Sequence, residues 1–265
     1  MSRNLKFFYL NYQCPHNAYL LARIKTLAWR DRVMLHLYDI WEDRAACEQF
    51  RVFGPTMLIV NDKYRHHGPF TTDKVLAMLE DEDVEPVGYE VDQSEDVARG
   101  ELIPVDSKSV LSTCEPCIGS GDSGLCMGKS EWVRGVLKSS GLEHLGYLHM
   151  HGGKCVGGAE FLPSQMVPYP VPGKKNDNAF LTCSFLSDDK KDYRTHPLER
   201  LIDDLRKWRF KTLSVAASKD VVFPNGPMKW FEKKGFADKG TLIKEELHKA
   251  EIHYLQLDLR RHSKM

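Results

Sequence analysis

Residues 178–205 combine residue types and a spacing that suit the binding of an anion. Residues 179–186 are an apolar run typical of a strand. Helical spacing of apolar residues follows at Leu198, Leu201, Ile202 and Leu205. A strand, a lysine-bearing turn and a helix in this order point backbone N–H groups and the positive end of a helix dipole at one place. The stretch therefore predicts a site for an anion such as a pyrophosphate.

The cysteines offer a second kind of chemistry. Cys114, Cys117 and Cys126 lie in one glycine-rich segment. A Cys-x-x-Cys pair can bind a soft metal or form a redox pair, although a closed structural zinc site needs four ligands. We keep three alternatives open: metal binding, a Cys114–Cys117 redox pair, and an ordered glycine-rich loop with incidental thiols. A further metal ligand would have to come from Cys155, His149 or His151. We expect both of these histidines to be exposed.

Length and charge narrow the classes of function. The 265 residues favour two ordinary domains over one large one. The 37 basic and 37 acidic residues balance, so no overall field draws in nucleic acid or an anionic membrane. No apolar run reaches the roughly 18 residues of a membrane helix, and the N-terminus is too polar for a signal peptide. The odd number of cysteines argues against a secreted disulfide framework. We therefore predict a cytoplasmic protein without nucleic-acid or membrane partners.

The first 83 residues alternate strand-like and helical segments. Strand-like runs occupy residues 5–10, 33–38, 56–60 and 64–67, and helical spacing occurs between the first three runs and again at 71–79. A hairpin turn is predicted at Asn61-Asp62-Lys63. This alternation predicts a small sheet covered by helices.

This region resembles the thioredoxin-like fold. The match rests on Cys14-Pro15-His16-Asn17 after the first strand, on Gly54-Pro55-Thr56 before the third, and on the closing hairpin and helix. The resemblance implies that Cys14 is a nucleophilic thiolate at a helix N-terminus and that a cis-proline, Pro55, faces it.

Asn17 stands where that family has its resolving cysteine, so a dithiol cycle within the motif is impossible. Two hypotheses stay open: Cys14 acts as a monothiol site, or the domain is a binding or dimerisation module with an inert cysteine. The missing cysteine also motivates a third hypothesis, that Cys14 exchanges with Cys114 or Cys117 of the second domain. We interpret the acidic residues 84–106 as a solvated linker.

The sequence pattern of residues 107–265 predicts a β-hairpin, a long proline-rich loop, and then a strand, a helix, a strand, a helix and two strands. They resemble the GCN5-related N-acetyltransferase (GNAT) family. GKCVGGAEFLP is similar to its second hairpin arm, LTCSFL with its turn and helix to its acetyl-CoA motif, and PNGPMKWFEKKGF to the segment beside the cofactor's pantetheine arm. The predicted fold class is therefore α/β, with a thioredoxin-like domain at 1–83 and a GNAT-like mixed sheet flanked by helices at 107–265.

The GNAT resemblance implies transfer of an acetyl group from acetyl-CoA to a small-molecule or protein amine. It assigns Glu160 as the general base, because removing the amine's proton needs a carboxylate or imidazole within reach. Backbone N–H groups near Ser184, Phe185 and Leu186 would bond the pantetheine and polarise the thioester carbonyl.

The predicted phosphate turn departs from the family pattern, Arg-Gly-x-Gly-x-Gly. This chain has YRTHPL over residues 193–198, without glycine. The charges of Lys190, Lys191 and Arg194 would compensate for the missing glycines. Thr195 and His196 complete the predicted phosphate side of the site.

Asn225 and Phe231 complete the predicted pantetheine side. Phe231 stands where many GNAT enzymes have a tyrosine that protonates the leaving thiolate. Two functions therefore compete: an N-acetyltransferase with a degenerate phosphate turn, and a non-catalytic GNAT-like and thioredoxin-like thiol sensor or ligand-binding protein. A homodimer stays open under both.

Overall fold

The computed structural model describes residues 3–82, 94–113, 123–187, 190–245 and 250–260. These residues form two sheets, one of four strands in the first 82 residues and one of seven strands in the rest. The predicted mixture of strands and helices is confirmed, with an α/β architecture in both parts of the chain.

The first region follows the predicted order of elements. These are β1 (Asn4–Tyr9), α1 (Pro15–Arg30), β2 (Met34–Asp39), α2 (Arg44–Gln49), β3 (Thr56–Val60), β4 (Tyr64–His67) and α3 (Thr72–Leu79). The sheet order is β2-β1-β3-β4, with β1 parallel to β2 and antiparallel to β3. Asn61 and Asp62 take positive φ angles of 52° and 57° in the β3–β4 turn, as a tight hairpin requires.

One detail of the predicted active-site geometry was wrong. The cis peptide bonds in the described part of the chain precede Pro224 and Pro227, so the bond before Pro55 is trans. Pro55 nevertheless lies close to the turn after β1, because its carbonyl accepts a hydrogen bond from the backbone N–H of Leu10.

The second region is built on a seven-stranded sheet. Its elements are β5 (Glu101–Pro104), α4 (Met127–Ser140), β6 (Gly146–His151), β7 (Lys154–Pro163), β8 (Asn178–Leu186), α5 (Thr195–Lys207), β9 (Thr212–Ser218), α6 (Met228–Lys233), β10 (Ala237–Glu245) and β11 (Ala250–Asp258). The strand order is β10-β11-β9-β8-β7-β6-β5. All neighbours are antiparallel except β8 and β9, which are parallel.

β5 differs from the prediction, which placed residues 101–104 in the linker. This edge strand pairs with β6 from Glu101↔Met150 to Pro104↔Tyr147. Four residues are too few to show a period of two in the sequence, and the strand is held by its neighbour rather than by its own pattern.

The two faces of the large sheet are covered differently. One face carries α5 and α6, which bury Leu201 and Phe231 against strand residues such as Leu181. The opposite face carries α4, the loop after β7 and the first region. Here Phe8 and Leu10 of the first region share one hydrophobic cluster with Phe180 of the large sheet. The two regions therefore have a core in common.

Contacts at the rim of this shared core join the same two regions. The Arg44 guanidinium donates hydrogen bonds to the carbonyls of Gln165 and Met166 in the loop after β7. Gly68, with a φ of 117°, lies against Phe223, and a Cβ atom there would come within 2.8 Å of the Phe223 ring. The loop between β9 and α6 is thus seated on the first region.

Candidate active site

β8 and β9 part where the GNAT resemblance predicts the acyl end of the cofactor. They pair from Asn178↔Thr212 to Leu181↔Val215 and no further, although both strands continue. The register between β7 and β8 shifts at this point, between Glu160 and Phe161, which leaves Thr182 as an extra residue. Such a bulge bends a strand and increases its twist, which accounts for the divergence of β8 from β9.

The side chain of Asn225 bridges the two parted strands. Its Oδ1 accepts a hydrogen bond of 2.9 Å from the backbone N–H of Ser184 on β8, and its Nδ2 donates one of 3.3 Å to the carbonyl of Ala216 on β9. Asn225 has a φ of 49°, in the left-handed region that asparagine tolerates better than most residues. Its carboxamide thus makes the hydrogen bonds that an amide of a bound molecule would make between these strands.

The other predicted backbone donors follow Ser184 along β8. Phe185 and Leu186 are half-buried and pair with Gly158 and Gly157 of β7. A Cβ at position 158 would lie 2.6 Å from the Phe185 ring, so the ring is packed directly against the β7 backbone.

Arg194 is the largest fully buried side chain of the described residues, with 1% of its surface exposed. Its Nη1 donates a hydrogen bond of 2.9 Å to the carbonyl of Gly226, and its guanidinium lies 4.1 Å from the centre of the Trp230 ring. Nη2 has no hydrogen-bond partner in the part of the chain that the structure describes. Burial lowers the pKa of Arg194 to about 10, against the opposing charges of Asp192 and Cys183. The guanidinium thus stays charged at neutral pH, inside the protein.

The N-terminus of α5 is occupied by the carboxylate of Asp192. One oxygen accepts hydrogen bonds from the backbone N–H groups of Arg194 and Thr195, and the other accepts from the Thr195 hydroxyl and the Trp230 indole. Burial raises the pKa of Asp192, but the bonds from Thr195 and Trp230 outweigh it, and the net shift is downward. Asp192 was missed in the sequence, because it lies two residues before the N-cap position, Arg194, where a capping carboxylate is expected.

The remaining predicted phosphate ligands lie around this helix end. Lys190 and Lys191 are exposed, and Lys191 is 3.4 Å from Asp96. His196 is half-buried, with its ring 5.5 Å from that of His149, and its Nδ1 has no partner among the described residues. Phe231 of α6, predicted for the pantetheine side, is fully buried in the core.

Glu160 lies on the opposite face of the sheet and forms a buried ion pair. Its carboxylate is 2.5 Å from the Lys129 ammonium of α4, and both side chains are 2% exposed. Glu160 pairs with Cys183 across β7 and β8, so it stands beside the bulge where the strands part. Lys129 could be found only from the structure, because nothing in the sequence links residues 129 and 160.

Cys14, the other predicted catalytic residue, faces the same ion pair. It is the residue before α1 and is half-buried, with its Sγ 3.8 Å from Nδ1 of His16. The pKa of Cys14 is raised to about 11, mainly by burial. The backbone N–H of His16 and the Lys129 ammonium oppose this shift, and the Glu160 carboxylate adds to it. The expectation of a low pKa was therefore wrong, because the second region buries the thiol. Burial also lowers the pKa of His16 to about 4.

Asn17, at the position of the absent resolving cysteine, is held by hydrogen bonds of its side chain. Its side-chain amide donates to the carbonyls of Leu10 and Asn11, and its Oδ1 accepts a bond of 2.6 Å from the Thr56 hydroxyl. Asn17 thus ties the turn after β1 to the start of β3.

Tyr169 lies on the same face of the large sheet as Glu160 and was not predicted from the sequence. Its side chain is 1% exposed, and its hydroxyl has no hydrogen-bond partner within the described ranges. Burial raises its pKa well above the ordinary value, and the thiols of Cys47, Cys14 and Cys183 add to the shift. A buried hydroxyl of this kind usually has a partner, so Tyr169 marks a place where a ligand atom would fit.

The other cysteines and histidines are less informative. Cys114 and Cys117 lie outside the described residues, and Cys126 is disulfide-bonded. The described residues hold no cluster of metal-ligating side chains. His151 is exposed as expected, whereas His149 is fully buried, with its Nδ1 3.0 Å from the Tyr193 carbonyl.

The two ends of the predicted acetyl-CoA site fit that molecule unequally. At the acyl end, the strands part, and the Nη2 of Arg194 and the hydroxyl of Ser184 lack partners in the described chain. At the phosphate end, the Asp192 carboxylate already accepts from the backbone N–H groups of Arg194 and Thr195. The residues therefore fit an acyl thioester with its pantetheine arm, and they do not fit a pyrophosphate at α5.

Comparisons with known proteins complete the description. No protein-family model matches the sequence, and no curated protein matches it. Among solved structures, an N-acetyltransferase from Staphylococcus aureus Mu50 is similar over 61% of this chain and 99% of its own, at 12% identity and a TM-score of 0.45. A ribosomal-protein-alanine N-acetyltransferase from Brucella melitensis matches 60% of this chain and 99% of its own, at 14% identity and a TM-score of 0.42.

An aminoglycoside 6'-N-acetyltransferase complexed with coenzyme A matches 62% of this chain and 99% of its own, at 10% identity and a TM-score of 0.43. These structural neighbours are all acetyltransferases and cover about three fifths of the chain. No helix within the described residues is both long and apolar enough to cross a membrane.

Proposed function

We propose that this protein transfers an acetyl group from acetyl-CoA to the nitrogen of an amine. The observation that carries the proposal is the parting of β8 and β9 after four residue pairs, beside a bulge and a buried carboxylate. Parted parallel strands expose backbone hydrogen-bonding groups inside the sheet, which a folded protein otherwise satisfies. A thioester arm with amide groups suits such an opening.

Glu160 takes the proton of the attacking amine in this proposal. Its carboxylate stands next to the bulge, and Lys129 compensates its charge at 2.5 Å. A positioned base of this kind contributes about 10²–10⁴-fold to a rate. Acetyl-CoA, when bound, supplies the acetyl group as a thioester, and its amine acceptor reaches the site on the face that holds Cys14 and Tyr169.

Arg194 belongs to the acyl end rather than to the phosphate end. Its buried guanidinium contacts Gly226 and keeps Nη2 without a partner among the described residues. A preorganised cation in a buried site stabilises negative charge that develops during a reaction. Arg194 thus offers the leaving thiolate a positive charge, where Phe231 offers no proton.

Titration calorimetry with acetyl-CoA and with CoA tests the proposal. We expect binding of both molecules, with an affinity that falls when Arg194 is replaced by methionine. If neither molecule gives a heat of binding at millimolar concentration, acetyl-CoA-dependent transfer by this protein is excluded. Thermal unfolding of each variant shows whether the loss of binding reflects a loss of structure.

A second candidate function is supported by the face that holds Cys14. The thiol faces the Lys129–Glu160 pair, and the Tyr169 hydroxyl beside it has no partner in the described chain. We infer as the alternative a ligand-binding protein that holds small thiols at Cys14. Intact-mass measurement after incubation with cystamine would show a mixed disulfide on the wild type and none on Cys14→Ser, without any need for acetyl-CoA.

A further inference from the structure

The chain fills the phosphate end of the proposed site with its own groups. Asp192, 6% exposed, accepts four hydrogen bonds at the N-terminus of α5, and the Lys234 ammonium lies 3.7 Å from it. Two backbone donors at this helix end, the N–H groups of Arg194 and Thr195, are thus already bonded to a carboxylate of the same charge sign as a phosphate. A second anion here would meet that charge and compete for those two donors.

A strap of residues 94–99 crosses the same end of the site. The Asp192 N–H donates to the Asp96 carbonyl at 2.9 Å, and the Ala98 N–H donates to the Asp192 carbonyl at 3.1 Å. Glu95 pairs with Lys233 of α6. The strap therefore joins the turn before α5 to α6, across the side where a phosphate arm would leave.

Two further ion pairs fasten the strap and neutralise local charge. Asp96 is 3.4 Å from Lys191, and Arg99 is 3.0 Å from Glu199 of α5. Lys191 was predicted to bind phosphate. In the structure its ammonium pairs with the Asp96 carboxylate instead. Each exposed pair is weak by itself, but together they balance the basic residues of this end.

We propose that the site recognises its acyl donor at the acyl-pantetheine end alone, and that the nucleotide diphosphate contributes no affinity. Acetyl-pantetheine thioesters without a nucleotide then serve as donors as well as acetyl-CoA does. This inference rests on the proposed function. The transfer itself is the same for both donors: the amine nitrogen bonds to the acetyl carbon, the carbon–sulfur bond breaks, and the amine proton passes to Glu160. The sulfur leaves as a thiolate beside Arg194 and takes a proton from water, and Glu160 returns its proton to water.

The test compares the dissociation constants of CoA and pantetheine for the full-length protein by titration calorimetry. A single charge-assisted hydrogen bond to the diphosphate is worth a factor of about ten or more in affinity, so bound phosphates would be evident. We expect the two constants to agree within about threefold. A preference for CoA of more than about threefold would overturn the inference and leave the acetyltransferase in place. Failure of both molecules to bind would overturn the inference and the proposed function together.

Asp192→Ser sharpens the assignment to one residue. Serine still caps a helix N-terminus but removes the charge, so the variant should gain a preference for CoA over pantetheine of about tenfold. Asp177→Ser is the matched control, since it removes an exposed carboxylate that pairs with Lys211 at 2.7 Å, away from α5. An unchanged ratio in folded Asp192→Ser would contradict the role of Asp192, and the wild-type ratio decides the inference if this variant does not fold.

Discussion

The two ends of the candidate site differ in how the chain treats its own polar atoms. At the phosphate end, Asp192 pairs with the N-terminus of α5 and with Trp230. At the acyl end, Arg194 and Ser184 each keep a buried polar atom without a partner in the described chain. Nδ1 of His196, at the phosphate end, also lacks a partner among the described residues, so the two ends differ in the bonded helix N-terminus and in the buried charge of Arg194. An unpaired buried polar group costs about 1–3 kcal/mol, and more when it is charged.

The contrast between the two ends indicates where a ligand is expected. A helix N-terminus attracts anions in general, but it holds a ligand only when the protein has not capped it. A buried guanidinium with an unpaired nitrogen is a more specific sign, because it is unfavourable until something binds. Changes at each end should therefore have unequal effects.

Glu160→Gln should have the largest effect of all. Loss of the base is expected to lower acetyl transfer by about 10²–10⁴-fold. It also leaves Lys129 buried without its carboxylate, at a cost of about 3–5 kcal/mol in the free energy of unfolding. Denaturant unfolding and a transfer assay measure the two effects separately.

The double variant Lys129→Met with Glu160→Gln is the control. It removes both charges and should recover part of the stability without recovering transfer, because no uncompensated charge is left buried. Wild-type rates in Glu160→Gln would remove this residue from the mechanism.

The thiol of Cys14 should react slowly. Its pKa of about 11 leaves about 100-fold less thiolate at pH 7 than an ordinary cysteine has. Alkylation by iodoacetamide should accelerate about tenfold for each pH unit up to the region of pH 11. Lys129→Met should slow it further, because the Lys129 ammonium lowers the pKa of Cys14. Fast alkylation at pH 7 would show a thiolate instead and favour the monothiol function.

Arg194→Met should weaken binding at the acyl end by about tenfold, since a hydrogen bond to a charged group is worth about 1.5–3 kcal/mol. The measurement is the affinity for CoA relative to desulfo-CoA, which lacks the thiol. Lys190→Met is the matched control at the phosphate end, where we expect a change of less than about twofold. Equal losses in the two variants would erase the contrast between the ends.

Asn225→Ala should have the smallest effect, and in the opposite direction. The bridge between Ser184 and Ala216 must open before a ligand can use the Ser184 N–H. Removing a hydrogen bond of about 1 kcal/mol should therefore raise the affinity for pantetheine about fivefold. A loss of affinity would mean that the carboxamide itself contacts the ligand.

The sequence predicted the elements better than their contacts. The order of strands and helices in both regions follows from runs such as TMLIV, and the parted strand pair lies where the LTCSFL motif suggested. Lys129 and Tyr169 escaped prediction because their roles come from partners far away in sequence. Asp192 escaped prediction because the family's glycine pattern contains no carboxylate that bonds the N–H groups at the start of α5.

The pKa of Cys14 shows the same limit. A thiol at the start of a helix is expected to ionise readily, and Pro15 at the first helical position supports that geometry. The opposite shift arises from burial. Local sequence defines the helix end, but only the packing of the two regions decides the dielectric around the sulfur.

The hydrophobic cluster shared by the two sheets has a practical consequence for dissecting the protein. Phe8 and Leu10 are buried together with Phe180, and Gly68 supports the loop that carries Asn225. A fragment that begins after residue 82 would expose this apolar surface and lose the support of the Asn225 loop. The first 82 residues share a core with the large sheet, so a cut between the two sheets would break that core instead of releasing two independent modules.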